Sequence, residues 1–392
     1  MFKSVLSLTL AAALGTASFG QTTLTAIPGE AAAAKYASIS QEILRAIEKG
    51  NEYLKSKQNP EGYWAQPSYP ALTALAVTAY MRDPANQGKP VPEYIRKGYD
   101  FILKSQKEDG SIFNRGMSSY NTAVCMIALL AANKEEYAPA ILKGRAYLIK
   151  QQNHFAPDNP YNGGIGYGDK QAPPIADLSN TSLALEAIYY SQKLAKDGKY
   201  GEQPDLDWNA ATEFINRCQQ NPAVNKEPWV SNDKSQLGGF VYRPGVSSAR
   251  DKKSAAFDKA EPPKAYGSMT YAGMQSLIYA NVDKNDPRVK LALKWLENSY
   301  SLDENPGMGV QGLYYYYQAM SKALSAMGID TLTLENGRKV DWRDELANKL
   351  ISIQKSDGSW VNTNNRWWEA DPVLVTSYCV LALEQLYHSI PR

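Results

Sequence analysis

The chain has 392 residues, 44% of them hydrophobic, ample for a buried core and compatible with one large domain or two ordinary ones. Its 42 lysines and arginines balance 40 acidic residues, so no basic footprint marks it for nucleic acid or for an anionic membrane surface. Three scattered cysteines (Cys125, Cys218, Cys379) and two histidines (His154, His388) give neither a disulfide framework nor a zinc spacing, and no metal or other cofactor is expected.

In chain order, residues 1–20 come first: Lys3, an apolar stretch from Val5 to Leu14, then the small residues Ser18 and Gly20. This is a signal-peptide pattern, and it is short for a membrane anchor, which needs about 20 apolar residues. An exported protein, periplasmic or secreted, is expected, with residues 21–37 as a linker and a single domain over 38–390. No later stretch is apolar enough to span a membrane once the leader is removed.

From Ile43 onward a repeat appears. KQNPEGYW (57–64), SQKEDGSIF (105–113) and IQKSDGSW (353–360) each place Gln, Gly and a large apolar residue at one spacing. A Lys-Gly pair ends eight residues before the glutamine in three places: Gly50 before Gln58, Gly98 before Gln106, Gly144 before Gln152. Such internal periodicity is the strongest fold signal a sequence carries. Upstream of each glutamine the apolar residues recur at helical spacing on one face only, as in Ile43, Ile47, Gly50 and Leu54. The same pattern predicts half-exposed helices at roughly 91–106, 139–152, 206–220, 286–300 and 342–354.

Between these lie six segments apolar nearly all round, starting near Pro70, Asn121, Asn180, Met269, Leu313 and Leu374. Such helices are buried on most sides. Five of them carry a threonine near the start (Thr73, Thr122, Thr181, Thr270, Thr376), whereas the fifth in order has Tyr314 and Tyr315 there. Six exposed helices alternating with six buried ones, without polar capping units at either end, predict closure into a ring: an all-α, α6/α6 toroid. In it, glycine makes the sharp turn, glutamine satisfies backbone groups at helix ends, and the aromatic ring packs between units.

The Lys-Gly, Tyr-Leu and Gln-x-x-x-Gly-x-Trp elements resemble the QW repeat of squalene and hopene cyclases, shared in weaker form with protein prenyltransferase β subunits, over about residues 38–388. The resemblance implies the toroid and an isoprenoid or other apolar ligand. The cyclase acid sits in an Asp-x-Asp-Asp-Thr-Ala stretch. The matching ADLSNTSLAL keeps Asp177 and Thr181 but has Ser179 in the place of the proton-delivering acid, and a hydroxyl cannot take that role. The Asp, Cys and His that hold zinc in the transferases, and the Cys-Gly-Glu-Gln of thioester proteins, have no counterpart.

Closure would gather the N-termini of all six inner helices at one mouth, where dipoles and free N–H groups favour an anion or a polar headgroup. Candidate catalytic residues there are Asp177, Asp371 and Glu369. Candidate ligand contacts are Tyr69, Tyr120, Tyr167, Tyr242, Arg243, Tyr266, Tyr314, Tyr315, Arg366, Trp367 and Trp368. Asp177, like Ser119 and Asn180, also fits the preferences of a helix N-cap, as does Asp371 before Pro372. At most two of Tyr314 to Tyr317 can face the lumen together, because a helix turns about 100° per residue. NRWWEADP (365–372) is placed at the mouth, as ligand contact or as rim plug. A long insertion at about 221–268 carries GGFVYRPG, with Arg243 available to an anion, and then a charged run at 246–263 read as lid or disorder.

Three functions compete: an apolar-ligand or cyclase-like protein, a carbohydrate-active hydrolase or lyase using the mouth carboxylates and tryptophans, and a non-catalytic scaffold. If the chain is an enzyme, the resemblance implies terpene-cyclase-like chemistry of isomerase or lyase type without the usual acid.

Overall fold

A computed structural model describes residues 28–168, 175–249 and 262–390. The expected leader at 1–20 lies outside them, as does most of the charged run at 246–263. Among the described residues the chain forms thirteen helices and one two-stranded hairpin, Leu332–Thr333 with Lys339–Val340. The outer helices are α1 (Pro28–Ser56), α3 (Glu93–Lys104), α5 (Ala138–Lys150), α8 (Trp208–Cys218), α10 (Pro287–Asn298) and α12 (Trp342–Ser352). The inner ones are α2 (Pro70–Arg82), α4 (Ser118–Ala131), α6 (Leu178–Tyr190), α9 (Gly267–Tyr279), α11 (Leu313–Met327) and α13 (Pro372–Ser389). A one-turn α7 (Gln192–Lys196) follows α6. Helix α1 starts inside the segment expected as a linker, where the alanine run at 31–34 has strong intrinsic helix preference.

The inner helices pack in the order α2, α4, α6, α9, α11, α13 and back to α2, while α1 packs on both α12 and α13. The ring is closed. The fold is the α6/α6 toroid, and its core runs through all six units.

The repeated motif is the joint between units. Gln58 Nε2 donates to the Gly62 carbonyl within its own turn (3.0 Å) and to the Tyr94 carbonyl in the first turn of α3 (2.7 Å). Gly62 sits at φ +94°, and a Cβ there would lie 2.5 Å from the Lys97 carbonyl oxygen, so the turn seats directly on the next helix. The Lys-Gly pair is the seat: Gly98 leaves room for the Trp64 ring. Trp64 Nε1 donates to Leu54 O in the last turn of α1, an end carbonyl, and Trp64 N donates to Thr73 Oγ1. The glutamine thus reaches across to the following unit, and the indole serves its own helix end.

The same threonine bond recurs from Ile112 N to Thr122, Ile165 N to Thr181, Phe240 N to Thr270 and Trp360 N to Thr376. In the last unit Gln354 Nε2 donates to Ala46 O of α1 at 3.0 Å, which closes the circle. The third and fourth units make the joint too: Gln152 bonds Gly163 O and Asp207 O, and Gln219 bonds Gly238 O and Arg288 O. Sequence spacing hides both, because loops are inserted between the glutamine and its glycine. The fifth unit lacks the joint glutamine and the leading threonine. There Tyr316 Oη donates to Ser301 O, Tyr317 Oη donates to Leu302 O, and Tyr300 Oη reaches Glu345 of α12.

Candidate functional site

The N-terminal turns of the six inner helices surround a cavity of about 570 Å³, within the range of about 300–1,000 Å³ usual for small-molecule sites. Each inner helix contributes: Tyr69 and Leu72 around α2, Met117 and Tyr120 at α4, Ser179 and Leu183 from α6, Tyr266, Ser268 and Met269 at α9, Tyr315 from α11, Leu374 and Tyr378 from α13. Tyr167, Tyr242 and Ser248 enter from the loops of the third and fourth units, and Trp367, Trp368 and Glu369 from the last. Tyr120, Leu183, Tyr315 and Tyr378 also line a second chamber of about 60 Å³ deeper in the lumen, so they form the floor between the two. Below that floor Lys322 pairs with the buried Glu186.

Phenols dominate the wall, and they are clustered. Tyr120 sits beside Tyr378, Tyr315 beside Ser179, Tyr266 beside Ser248, and Tyr242 beside both Tyr167 and Asp177. Burial pushes the phenol of Tyr120 up to about 12 and those of Tyr242, Tyr266 and Tyr315 further up, so all four are neutral donors at physiological pH. Ser179, in the position of the cyclase acid, is one of these hydroxyl partners.

The tryptophans close the mouth from one side. Trp368 packs on Tyr69 with ring centroids 4.6 Å apart. Arg366 lies over the Trp367 ring and bonds Gln311 Oε1 at 2.8 Å. Trp367 and Trp368 have φ of 55° and 65°, a left-handed backbone that a bulky side chain adopts only under strain. Strain of this kind costs about 1–3 kcal/mol per residue and clusters at functional sites. Gly312 lets Trp367 approach, since a Cβ there would sit 3.1 Å from its ring.

The three candidate carboxylates are all bound to helix N-termini. Asp177 Oδ1 accepts from Asn180 N and its Oδ2 from Asn180 Nδ2, capping α6. Asp371 Oδ1 accepts from Val373 N, capping α13. Glu369, buried and on the cavity wall, caps a helix of another segment: Tyr315 N of α11 donates to Oε1 at 2.8 Å, and Asn362 Nδ2 donates to Oε2 at 2.7 Å. Burial raises the Asp177 carboxyl to about 6 and moves Glu369 upward as well, against the pull of their hydrogen bonds.

Of the residues singled out from sequence, the structure gathers Tyr69, Tyr120, Tyr167, Tyr242, Tyr266, Tyr315, Trp367, Trp368 and Glu369 around one cavity. Asp177, Asp371, Arg243, Tyr314 and Arg366 stand off its lining. Tyr314 turns away to bond Val361 O, because its neighbour Tyr315 takes the lumen-facing position one residue on. Arg243 acts on Asp177 instead, through its charge. Tyr378, Met117 and Ser248 were not singled out. Tyr378 lies on a helix apolar nearly all round, where periodicity does not say which side faces the lumen. Among the described residues no three His, Cys, Asp or Glu side chains form a group that could hold a metal ion.

No protein-family model matches the chain. Solved structures do resemble it in fold. The type II terpene cyclase MstE from Scytonema, in complex with geranylgeranyl dihydroxybenzoate, superposes with a TM-score of 0.53 at 10% identity, covering 90% of this chain and 99% of that one. Candida albicans protein geranylgeranyltransferase-I complexed with GGPP gives 0.55 at 14% identity over 87% and 91%. At such identities the likeness is one of fold: the toroid of terpene cyclases and protein prenyltransferases.

Proposed function

We propose that this protein binds an isoprenoid or another apolar molecule inside the toroid, in the cavity beneath Trp367 and Trp368. The observation that carries the reading is the cavity itself. A ring acting only as a scaffold has no use for an unfilled lumen of about 570 Å³ walled by phenols and tryptophans. The fold supports it further, since MstE and the geranylgeranyltransferase each hold a geranylgeranyl compound. The hydrolase reading loses support, because its carboxylates are engaged as caps. Aromatic faces around the ligand would also favour a developing carbocation, should the ligand be transformed.

Hexane extraction of purified protein followed by mass spectrometry, with titration of squalene and geranylgeraniol against tryptophan fluorescence, tests this. Saturable quenching or a co-purified lipid is expected. Absence of both overturns the reading.

Export is part of the proposal, and rests on the Lys3, Val5–Leu14 and Ser18–Gly20 pattern. N-terminal sequencing of the protein from its native host is expected to start shortly after Gly20; a chain starting at Met1 defeats it.

A further inference from the structure

We propose that the cavity is built to reject anions, so that its ligand is an apolar molecule with an uncharged polar end, the free alcohol or hydrocarbon and not the phosphate ester. This deepens the reading above and rests on it. Six converging helix N-termini would ordinarily make an anion site, through unpaired N–H groups and positive dipole ends. Here each of the six has at least one of these N–H groups already bonded by the protein.

Ala71 N of α2 donates to Asn121 Oδ1 at 3.1 Å, and Ser119 N of α4 donates to Tyr167 O at 3.0 Å. Asn180 N of α6 donates to Asp177 Oδ1 at 2.9 Å. In α9, Gly267 N donates to Pro306 O and Ser268 N to Asn305 Oδ1, both at 2.9 Å. Tyr315 N of α11 donates to Glu369 Oε1, and Val373 N of α13 to Asp371 Oδ1, both at 2.8 Å. Three of these six caps are carboxylates, and one of them, Glu369, is on the cavity wall.

No lysine or arginine among the described residues lines the cavity. Arg366 is stacked on Trp367 and bonded to Gln311, and the charge of Arg243 falls on Asp177. A phosphate entering this mouth would lose its hydration, find no cationic side chain on the wall, and meet carboxylate charge at three of the six helix ends in the same low-dielectric surroundings. A hydroxyl would find phenol and serine partners instead.

The test is paired titration of the full chain with geranylgeraniol and geranylgeranyl diphosphate in the same detergent, read by tryptophan fluorescence. The alcohol is expected to bind at least tenfold more tightly. Asp371→Asn keeps an N-cap side chain while deleting one carboxylate, and is expected to narrow that ratio. Equal or tighter binding of the diphosphate overturns the inference and leaves the apolar-ligand reading standing. An Asp371→Asn ratio equal to the parent's, with folding confirmed by circular dichroism, also counts against it. If neither compound binds, both readings fall together.

Discussion

Four tryptophans separate two kinds of region in this molecule. Trp64 and Trp360, at joints between units, are 1% and 0% exposed, and each indole N–H is bonded to a carbonyl near the end of an outer helix. Trp367 and Trp368, at the mouth, are 46% and 39% exposed and sit on left-handed backbone. The first pair has both N–H groups of each residue matched and a glycine cut to receive its ring. The second keeps large apolar faces in water at the cost of backbone strain. Joints of the first kind hold the ring; a surface of the second kind has unmet contacts, which is the condition for binding something else.

The difference can be broken most severely at the joint that closes the circle. Gly358 has φ +87°, and a Cβ there would drive into the Lys49 carbonyl oxygen of α1. Gly358→Ala is expected to lower stability by at least about 3 kcal/mol in urea melts, because neither strain nor clash can relax without opening the seam between the last unit and the first.

A second test lies between joint and mouth. Burial, acting against hydrogen bonds from Asn180, the neighbouring Tyr242 and the charge of Arg243, holds the Asp177 carboxyl at about 6 instead of 3.8. An acid whose folded pKa is raised binds its proton more tightly in the folded chain. Its stabilising contribution is therefore complete below about pH 3.8 and is lost as pH rises through about 6. Asp177→Asn, which keeps a good N-cap, removes that dependence. Relative to the parent, the variant should gain about 2–3 kcal/mol between pH 3.5 and pH 7 in parallel melts; a constant difference across that window would show that Asp177 does not titrate there.

The smallest effect on folding is expected at the mouth. Trp368→Ala gives up its contact with Tyr69, worth about 0.5–1.5 kcal/mol, and should leave the melt within about 1 kcal/mol of the parent. Affinity for geranylgeraniol should fall about tenfold. A large loss of stability with unchanged affinity would make this tryptophan a plug and erase the contrast with Trp64.

The joints are what the sequence alone determined. A one-sided apolar period, an apolar helix without a polar face, a Gln-Gly-aromatic spacing and a leading threonine are local patterns, and they predict α3, α5, α8, α10 and α12 to within two residues of their observed ends, whereas α1 begins ten residues before the expected start of the domain. They survive because each joint repeats one geometry, and a repeated geometry demands repeated residues. They fade where loops part Gln152 from Gly163 and Gln219 from Gly238, although Thr181 and Thr270 still mark the place.

The mouth was decided by tertiary structure. That Tyr315 faces the lumen while Tyr314 does not, that Tyr378 joins it, and that Glu369 caps a helix from another unit follow from how six helices are rotated against one another. Converging N-termini read as an anion site until their N–H groups are traced to partners up to 55 residues away along the chain. Hydrogen-bond satisfaction of that kind is a property of the closed ring, since in α2, α4, α9 and α11 the donor and its cap come from different segments.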